Sequence, residues 1–237
     1  MTRLANPMRG LRVSHCRAAV RRPRYPGRID WALFHFLNGS LRGQPVISDW
    51  IEDYVSFWAV PLFVVATFSL WILDRPGRAQ RWRVACISGL VSAGLGLAVG
   101  QMISHVWVRE RPFAAHPAQT LLLVPGSGDP SFPSDHATAA FAIAFSVLLV
   151  GRRLGVVFVL AALMIGMSRI FVGVHYPGDV AGGALVGLVA AVVVWRAGRG
   201  RWSPIVDTVS RATDPVLEPL WRAPDAIRTR ARRLRAR

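Results

Sequence analysis

The fold is decided by residues 168–179, which read Ser168-Arg169-Ile170-Phe171-Val172-Gly173-Val174-His175-Tyr176-Pro177-Gly178-Asp179. This stretch closes one apolar run, 154–174, and leads into another, 180–195. It sets an arginine, a histidine and an aspartate at fixed spacing in a segment that is otherwise hydrophobic. Charged groups at membrane depth are costly, so their presence there indicates function. The Pro-Gly pair predicts a short turn into the second helix rather than one continuous helix.

The composition is that of a membrane protein. Of the 237 residues, 52% are hydrophobic, and the mean hydropathy is +0.35. Five apolar runs are long enough, or nearly so, to cross a bilayer: 54–73, 84–108, 137–150, 154–174 and 180–195. The third and fifth are short, and each gains length if the polar motif at its start lines a cavity. We therefore expect an all-α, integral-membrane helical bundle of about five spanning helices, with a short interfacial helix at 29–37.

The charge of the chain indicates its orientation in the membrane. The formal net charge is +16, and every basic residue besides histidine is an arginine. A nucleic-acid-binding protein can be equally basic, but these arginines lie mainly outside the apolar runs, so we expect no nucleic-acid partner. Arginines at 75–83, at 152–153 and after Val194 fall on one side if five spans alternate. By the positive-inside rule that side is cytoplasmic, which places the polar motifs on the extracytoplasmic face of the plasma membrane.

Three regions follow: an arginine-rich arm at 1–28, a membrane-embedded domain at 29–196 and a basic, proline-containing tail at 197–237. The arm conflicts with the orientation above, because five spans would place it outside; either residues 29–49 re-enter the membrane or the true start lies downstream of Met1. The tail is either an unstructured solvated segment or one bound to anionic headgroups. Cys16 and Cys86 predict neither a disulfide nor a metal site.

Two further polar clusters precede the first: Arg109-Glu110-Arg111-Pro112-Phe113 and Phe132-Pro133-Ser134-Asp135-His136-Ala137. Two arginines can clamp an oxyanion, and two histidines can serve as nucleophile and as acid and base. Ser134 predicts a helix cap, and the helix N-terminus after it is a potential anion site. Taken singly, Arg111 would be an interfacial anchor and His136 a solvated histidine beside an ordinary helix cap. Three clusters at three predicted helix ends on one side favour phosphoryl transfer without a metal.

Arg169 and Asp179 have specific expected partners. Arg169 falls inside an apolar run, where a guanidinium needs an anionic partner, and a lipid phosphate would serve. An aspartate near His175 would fix the imidazole tautomer and stabilise the imidazolium, which leaves the other ring nitrogen free to attack.

These motifs resemble the three-part signature of the type 2 phosphatidic acid phosphatases, a superfamily of integral-membrane lipid phosphatases. The third part (Ser-Arg, five residues, His, three residues, Asp) matches from Ser168 to Asp179. The second, Pro-Ser-Gly-His, is present with Asp135 in place of glycine. The first part of the signature is a lysine six residues before Arg-Pro. Here Arg111-Pro112 is present, but Ser104 stands at the position of the lysine. The candidates to replace that lysine are Gln101, His105 and Arg109.

Both departures from the signature resemble those of one branch of the superfamily, the bacterial undecaprenyl-diphosphate phosphatases of the bacitracin-resistance type. The resemblance covers roughly residues 30–196. It implies a bundle of about six helices, a site open to the outer leaflet, and no metal or other cofactor. It also implies that His175 is the nucleophile and forms a phosphohistidine, that Asp179 orients it, and that His136 protonates the leaving group and then activates water. The resemblance assigns binding of the phosphoryl oxygens to a further set, in which the backbone N–H groups near Asp135 and His136 assist: Arg111, Arg169, Ser134, Asp135 and Ser168.

The expected activity is therefore hydrolysis of a polyprenyl diphosphate to the monophosphate, which recycles the cell-wall lipid carrier. A phosphatase for phosphatidylglycerophosphate, phosphatidate or a polyprenyl-phosphosugar remains an alternative, because the motifs contact phosphate and not the lipid tail. An alternative from another class of protein is that the chain binds or transports anionic lipid without hydrolysing it. The presence of His136, His175 and Asp179 argues against this alternative, since binding needs only the arginines. Vanadate-dependent haloperoxidases share the motif but are soluble, and the apolar runs disfavour that class.

Overall fold

The computed structural model describes residues 27–51, 58–75 and 80–235, with side chains described up to Arg222. Most of the arginine-rich arm, including Cys16, lies outside these residues, as do Arg78 and the first part of the 54–73 run. Every regular element in the described residues is a helix, which confirms the all-α class. The helices are α1 (Arg28–Gly39), α2 (Pro45–Trp50), α3 (Ala59–Leu73), α4 (Arg81–Val106), α5 (Pro112–Ala115), α6 (Asp135–Val150), α7 (Arg152–Phe171), α8 (Pro177–Gly198) and α9 (Trp202–Arg235).

Five apolar helices coincide with the five predicted runs. In the described part of the chain, α4, α7 and α8 are long and apolar enough to cross a membrane, whereas α3 and α6 are shorter, with 15 and 16 residues. The helix α8 has 22 residues because it begins at Pro177, so the polar motif forms its first turn. These helices leave large apolar side chains exposed, as lipid-facing surfaces do: Leu62, Val65, Phe68, Val156, Leu160, Met164, Leu185, Val189 and Val193. The chain is a membrane protein.

The helix α6 lies at the centre and packs against α4, α7 and α8. Small residues allow this close packing. A Cβ at Gly183 of α8 would lie 2.7 Å from the carbonyl oxygen of Ser134, and one at Gly187 would lie 2.7 Å from the backbone nitrogen of Ala142. Larger residues at these two glycines would therefore separate α8 from α6.

The functional motifs converge at one end of the bundle. Gly100, near the end of α4, faces Pro133 and Asp135 at the start of α6, whereas Gly89 faces Ile143 further along α6. Helices α4 and α6 are therefore antiparallel. A single residue, Gly151, joins α6 to α7, and α7 returns to the same end, where α8 begins. The arginines at 81–83 and at 152–153 lie at the opposite end.

The tail is helical, rather than unstructured, from Trp202 to Arg235. Although the sequence has prolines at four positions between 202 and 235, α9 is continuous, because its first half packs on the bundle. The fully buried Arg83 donates from Nε to the carbonyl oxygen of Asp74, and its Nη2 lies 2.7 Å from an oxygen of Asp214 in α9. Trp71 Nε1 donates to Thr213 and Trp221 Nε1 to the carbonyl oxygen of Ile72. These tertiary contacts stabilise a helix in a segment whose prolines disfavour helix formation.

Candidate active site

A cavity of about 560 Å³ opens at the end of the bundle where the motifs meet. Its lining comes from the end of α4, the connections on both sides of α5, the first turn of α6, the last turn of α7 and the connection to α8. Five of the eight predicted site residues line it: Arg111, Asp135, His136, Arg169 and His175. The first and last of these are 64 positions apart along the chain, and the folding of the bundle brings all five around one space.

His175 is held with one ring nitrogen fixed and the other directed at the cavity. It follows α7, and its backbone nitrogen donates to the carbonyl oxygen of Arg169. Its Nδ1 lies 2.9 Å from the carbonyl oxygen of Ser131. Because a carbonyl oxygen can only accept, this contact assigns the hydrogen to Nδ1 and leaves a lone pair on Nε2. The Nη1 atom of Arg111 lies 3.4 Å from that Nε2.

Asp179 is connected to His175 through Ser131 rather than by a direct hydrogen bond. The Asp179 side chain is fully buried at the third position of α8, and its Oδ2 lies 3.7 Å from Nδ1 of His175. The same Oδ2 accepts from the Ser131 hydroxyl at 2.5 Å and from the backbone nitrogen of Tyr176 at 2.8 Å. Ser131 thus contacts both residues, with its carbonyl oxygen on the imidazole and its hydroxyl on the carboxylate. At 3.7 Å the carboxylate can still stabilise a positive imidazolium.

Two guanidiniums supply positive charge to the cavity. Arg111 immediately precedes α5, and its Nε donates to the carbonyl oxygen of Asp129 at 2.9 Å. Burial lowers the pKa of Arg111, and the surrounding carboxylates, chiefly Asp129, oppose that shift. Arg169 lies in the last turn of α7, is 7% exposed, and donates from Nε to the Ser168 hydroxyl. A pair of guanidiniums on one cavity is suited to binding phosphoryl oxygens.

Ser134, Ser168 and Asp179 lie outside the cavity lining. Ser134 is the N-cap of α6, where its side chain accepts from the backbone nitrogen of Ala137, as the sequence predicts for a cap. The Ser168 hydroxyl donates to the carbonyl oxygen of Ile165 at 2.7 Å. The expectation that these two serines bind phosphate directly therefore lacks support in the geometry. Ser134 fixes the start of α6, and Ser168 contacts the guanidinium of Arg169.

The position of the missing lysine is occupied by Ser104, whose hydroxyl carries no charge. Ser104 lines the cavity, and its hydroxyl donates to the carbonyl oxygen of Gln101. Of the three candidate replacements, Gln101 and His105 also line the cavity. The Gln101 side chain donates to Asp135 Oδ2 at 3.1 Å. Arg109 does not line this cavity and instead contacts Asp179.

Sequence motifs alone assign no role to Ser131, and they do not connect Arg109 or Asp30 with Asp179. In the structure, Arg109 Nη1 lies 2.6 Å from Asp179 Oδ1, and Arg109 Nη2 also pairs with Asp30. Asp30 is 79 positions from Arg109, and Asp179 is 70 positions from it. No spacing rule reports pairs so distant. The available signal was the position of Ser131, two residues before the predicted Pro-Ser motif.

Comparisons with known proteins identify the family of the chain. A family model described as the PAP2 superfamily matches residues 85–203. The chain is 30% identical over 196 residues to undecaprenyl-diphosphatase BcrC of Bacillus subtilis, covering 83% of this chain and 97% of that protein. It is 31% identical over 179 residues to the putative undecaprenyl-diphosphatase YbjG of Escherichia coli, covering 71% and 84%. The crystal structure of LpxE from Aquifex aeolicus superposes with a TM-score of 0.55 at 23% identity, covering 72% of this chain and 96% of that one.

Proposed function

The chain belongs to the PAP2 superfamily and is a lipid phosphatase, and from that premise we propose that it hydrolyses a polyprenyl diphosphate to the monophosphate and inorganic phosphate. The proposal rests chiefly on one observation: the Nε2 of His175 lies 3.4 Å from Nη1 of Arg111, on a cavity also lined by Arg169 and His136. A nucleophile, a second histidine and two cations on one cavity are the groups that such a reaction needs.

In the proposed first step, Nε2 of His175 attacks the terminal phosphorus, and the bond from that phosphorus to the bridging oxygen breaks. His136 gives a proton to the departing monophosphate, and the phosphoryl group remains on His175 as a phosphohistidine. In the second step, His136 removes a proton from water, the water oxygen attacks the phosphorus, and the P–N bond breaks. Inorganic phosphate leaves, and both histidines return to their starting states.

Charge complementarity supports this sequence of steps. Arg111 and Arg169 neutralise the phosphoryl oxygens as their negative charge redistributes in the transition state. The first backbone N–H groups of α6, at Asp135 and His136, add the anion preference of a helix N-terminus. During attack the imidazole of His175 gains positive charge, and the buried carboxylate of Asp179 lies 3.7 Å from its Nδ1. The reaction thus proceeds without a metal ion in this proposal.

The choice of a long-chain lipid is supported by a second, apolar cavity. It has a volume of about 230 Å³ among α3, α4, α6 and α7, with walls that include Phe63, Leu97 and Ile165. Asp135 and His136 border both cavities, so a diphosphate in the polar cavity would place its hydrocarbon chain beside the apolar one. The polyprenyl assignment rests further on Asp135 and on the two undecaprenyl-diphosphatase relatives. The physiological role we propose is recycling of the cell-wall lipid carrier.

We place this site on the extracytoplasmic side of the plasma membrane. The proposal is supported by four arginines at the opposite end of the bundle, because arginine-rich ends favour the cytoplasm. They are Arg81, Arg83, Arg152 and Arg153. Within this scheme residues 29–196 form the membrane-embedded phosphatase domain, and 197–237 form a basic tail that lies on the cytoplasmic side.

The test is phosphate release by purified protein from undecaprenyl diphosphate, phosphatidylglycerophosphate and phosphatidate, each with EDTA. We expect the highest kcat/KM for the diphosphate and no effect of EDTA. The matched control is His175→Ala, which should fold and release no phosphate. A higher kcat/KM for phosphatidate or phosphatidylglycerophosphate would refute the polyprenyl assignment. Tight lipid binding without phosphate release would favour the non-catalytic alternative, and loss of activity in EDTA would contradict the metal-independent mechanism.

A further inference from the structure

The N-terminal helix α1 contacts the residues behind the catalytic histidine. Asp30, in its first turn, accepts through Oδ1 from the backbone nitrogen of Gly178 at 2.8 Å, and its Oδ2 pairs with the guanidinium of Arg109. Gly178 is the second residue of α8, directly before Asp179. One side chain of α1 is therefore bonded both to the first turn of α8 and to an arginine that precedes α5.

Arg109 is held by groups that surround His175. Its guanidinium lies over the ring of Tyr176, with Cζ 4.2 Å from the ring centroid, and it bridges Asp30 and Asp179. Its backbone carbonyl oxygen accepts from the backbone nitrogen of Ser131 at 2.8 Å. Arg109 thus fixes Ser131 through its main chain and Asp179 through its side chain. Those are the two residues that contact Nδ1 of His175.

The rest of α1 is packed firmly enough to act as a support. Asn38 donates to the carbonyl oxygens of Leu121 and Phe171, each at 2.8 Å, and accepts from the backbone nitrogen of Leu121 at 2.8 Å. The ring of Phe34 lies 5.5 Å from that of Tyr176, edge to face. These contacts attach α1 to the end of α7 and to the start of α8.

We propose that Asp30 and Arg109 are positioning residues of the phosphatase, and that α1 completes the active site by holding Asp179 and Ser131 against His175. This inference rests on the phosphohistidine mechanism proposed above. Neither residue lines the catalytic cavity, so their effect reaches the substrate through Asp179 and Ser131.

The charge of the cluster explains why Asp30 affects the reaction and not only folding. Two carboxylates share one guanidinium, so the cluster formed by Asp30, Arg109 and Asp179 is negative overall. Within the cluster, Asp179 lies 3.7 Å from Nδ1 of the imidazole, which becomes positive on phosphorylation. In Asp30→Asn the guanidinium is neutralised by Asp179 alone, and the cluster loses its net negative charge. The transition state is then destabilised while phosphate binding by Arg111 and Arg169 is unchanged.

The experiment compares full-length Asp30→Asn, Asp30→Glu and Asp49→Asn with the wild type in phosphate release from undecaprenyl diphosphate. Asp49 is exposed on α2 and serves as the matched control. We expect Asp30→Asn to lower kcat by about 10-fold to 100-fold, with KM nearly unchanged. Asp30→Glu should recover much of the loss, because it restores the charge. Asp49→Asn should match the wild type.

A double-mutant cycle separates positioning from a purely structural role. If Asp30 acts through Arg109, the effects of Asp30→Asn and Arg109→Gln on kcat should be strongly non-additive. Additive effects, or a wild-type kcat in Asp30→Asn, would overturn the inference. Inactive wild-type protein would instead refute the proposed function, so the two failures are distinct.

A backbone variant covers the case in which Asp30→Asn does not fold. A Cβ at Gly178 would lie 2.9 Å from Oδ2 of Asp30, so Gly178→Ala displaces that carboxylate without removing it. We expect a lower kcat in Gly178→Ala and an unchanged kcat in Gly94→Ala, whose Cβ meets no atom within 4 Å. Wild-type kcat in Gly178→Ala would overturn the inference equally.

Discussion

Replacing Asp179 by asparagine removes a charge with little change of shape. The Asp179 Oδ1 accepts from Arg109, and Oδ2 accepts from Ser131 and Tyr176. Because both oxygens face donors, the amide of the substituted side chain must lose at least one of these hydrogen bonds whichever way it is oriented. The carboxylate also disappears from its place 3.7 Å from Nδ1 of His175.

The size of the effect follows from that distance. Two unit charges 3.7 Å apart, at an effective dielectric constant of about 20, interact by about 4 kcal/mol. A loss of this size corresponds to about a 10³-fold lower rate. Because the imidazole carries only part of a unit charge in the transition state, we expect kcat to fall by about 30-fold to 10³-fold, with a smaller change in KM.

The assay is steady-state phosphate release by purified Asp179→Asn beside Asp207→Asn, which removes a carboxylate from α9 at the opposite end of the bundle. Thermal unfolding and gel filtration in the same detergent report whether each variant is folded. A folded Asp179→Asn protein with kcat within about threefold of the wild type, less than about 1 kcal/mol by the rate relation, would refute the electrostatic role of Asp179.

Three further changes test other parts of the site. Arg169→Lys should lower kcat/KM by about 10²-fold or more, because an ammonium cannot make the bidentate contact of a guanidinium, and kinetics near the wild type would exclude Arg169 as a phosphate clamp. Ser104→Lys should leave phosphate release unchanged or slightly improved, since it adds a cation to the cavity lining; a large loss would show that Ser104 itself is required. Ala118→Cys, in a Cys16→Ser background, should react with a membrane-impermeant thiol reagent on intact cells, because the loop at 118 lies at the active-site end; labelling only after lysis would reverse the proposed orientation.

Local patterns in the sequence predicted the elements that carry the site. The Pro177-Gly178 pair predicted that α7 and α8 are separate helices, although the pair itself lies in the first turn of α8 and not in a turn before it. Ser134 predicted the start of α6. Both signals are features of a few adjacent residues. The polar motif that precedes the last apolar run is the first turn of α8, which is why that helix is longer than its run. Small residues such as Gly183 show how α8 approaches α6, but only after the pairing of those helices is known.

Contacts between residues far apart in the sequence could not be predicted from local patterns. Asp30 and Arg109 look like separate interfacial charges in the sequence, and only the folded bundle places them on Asp179. Likewise, the sequence predicted that Asp179 fixes the tautomer of His175, whereas in the structure the carbonyl oxygen of Ser131 contacts Nδ1 of that histidine. The tail shows the same effect at larger scale, because the contacts of Arg83 with α9 override a proline-rich local sequence.

The phosphohistidine itself is the most direct test of the proposed chemistry. Undecaprenyl diphosphate labelled with ³²P on the terminal phosphate is mixed with excess enzyme and quenched in alkali within milliseconds, because a P–N bond survives base and is hydrolysed in acid. Our mechanism predicts an acid-labile label that maps to the peptide containing His175 and is absent from His175→Ala. Turnover without any labelled enzyme at the earliest times, or a label that persists in His175→Ala, would contradict it.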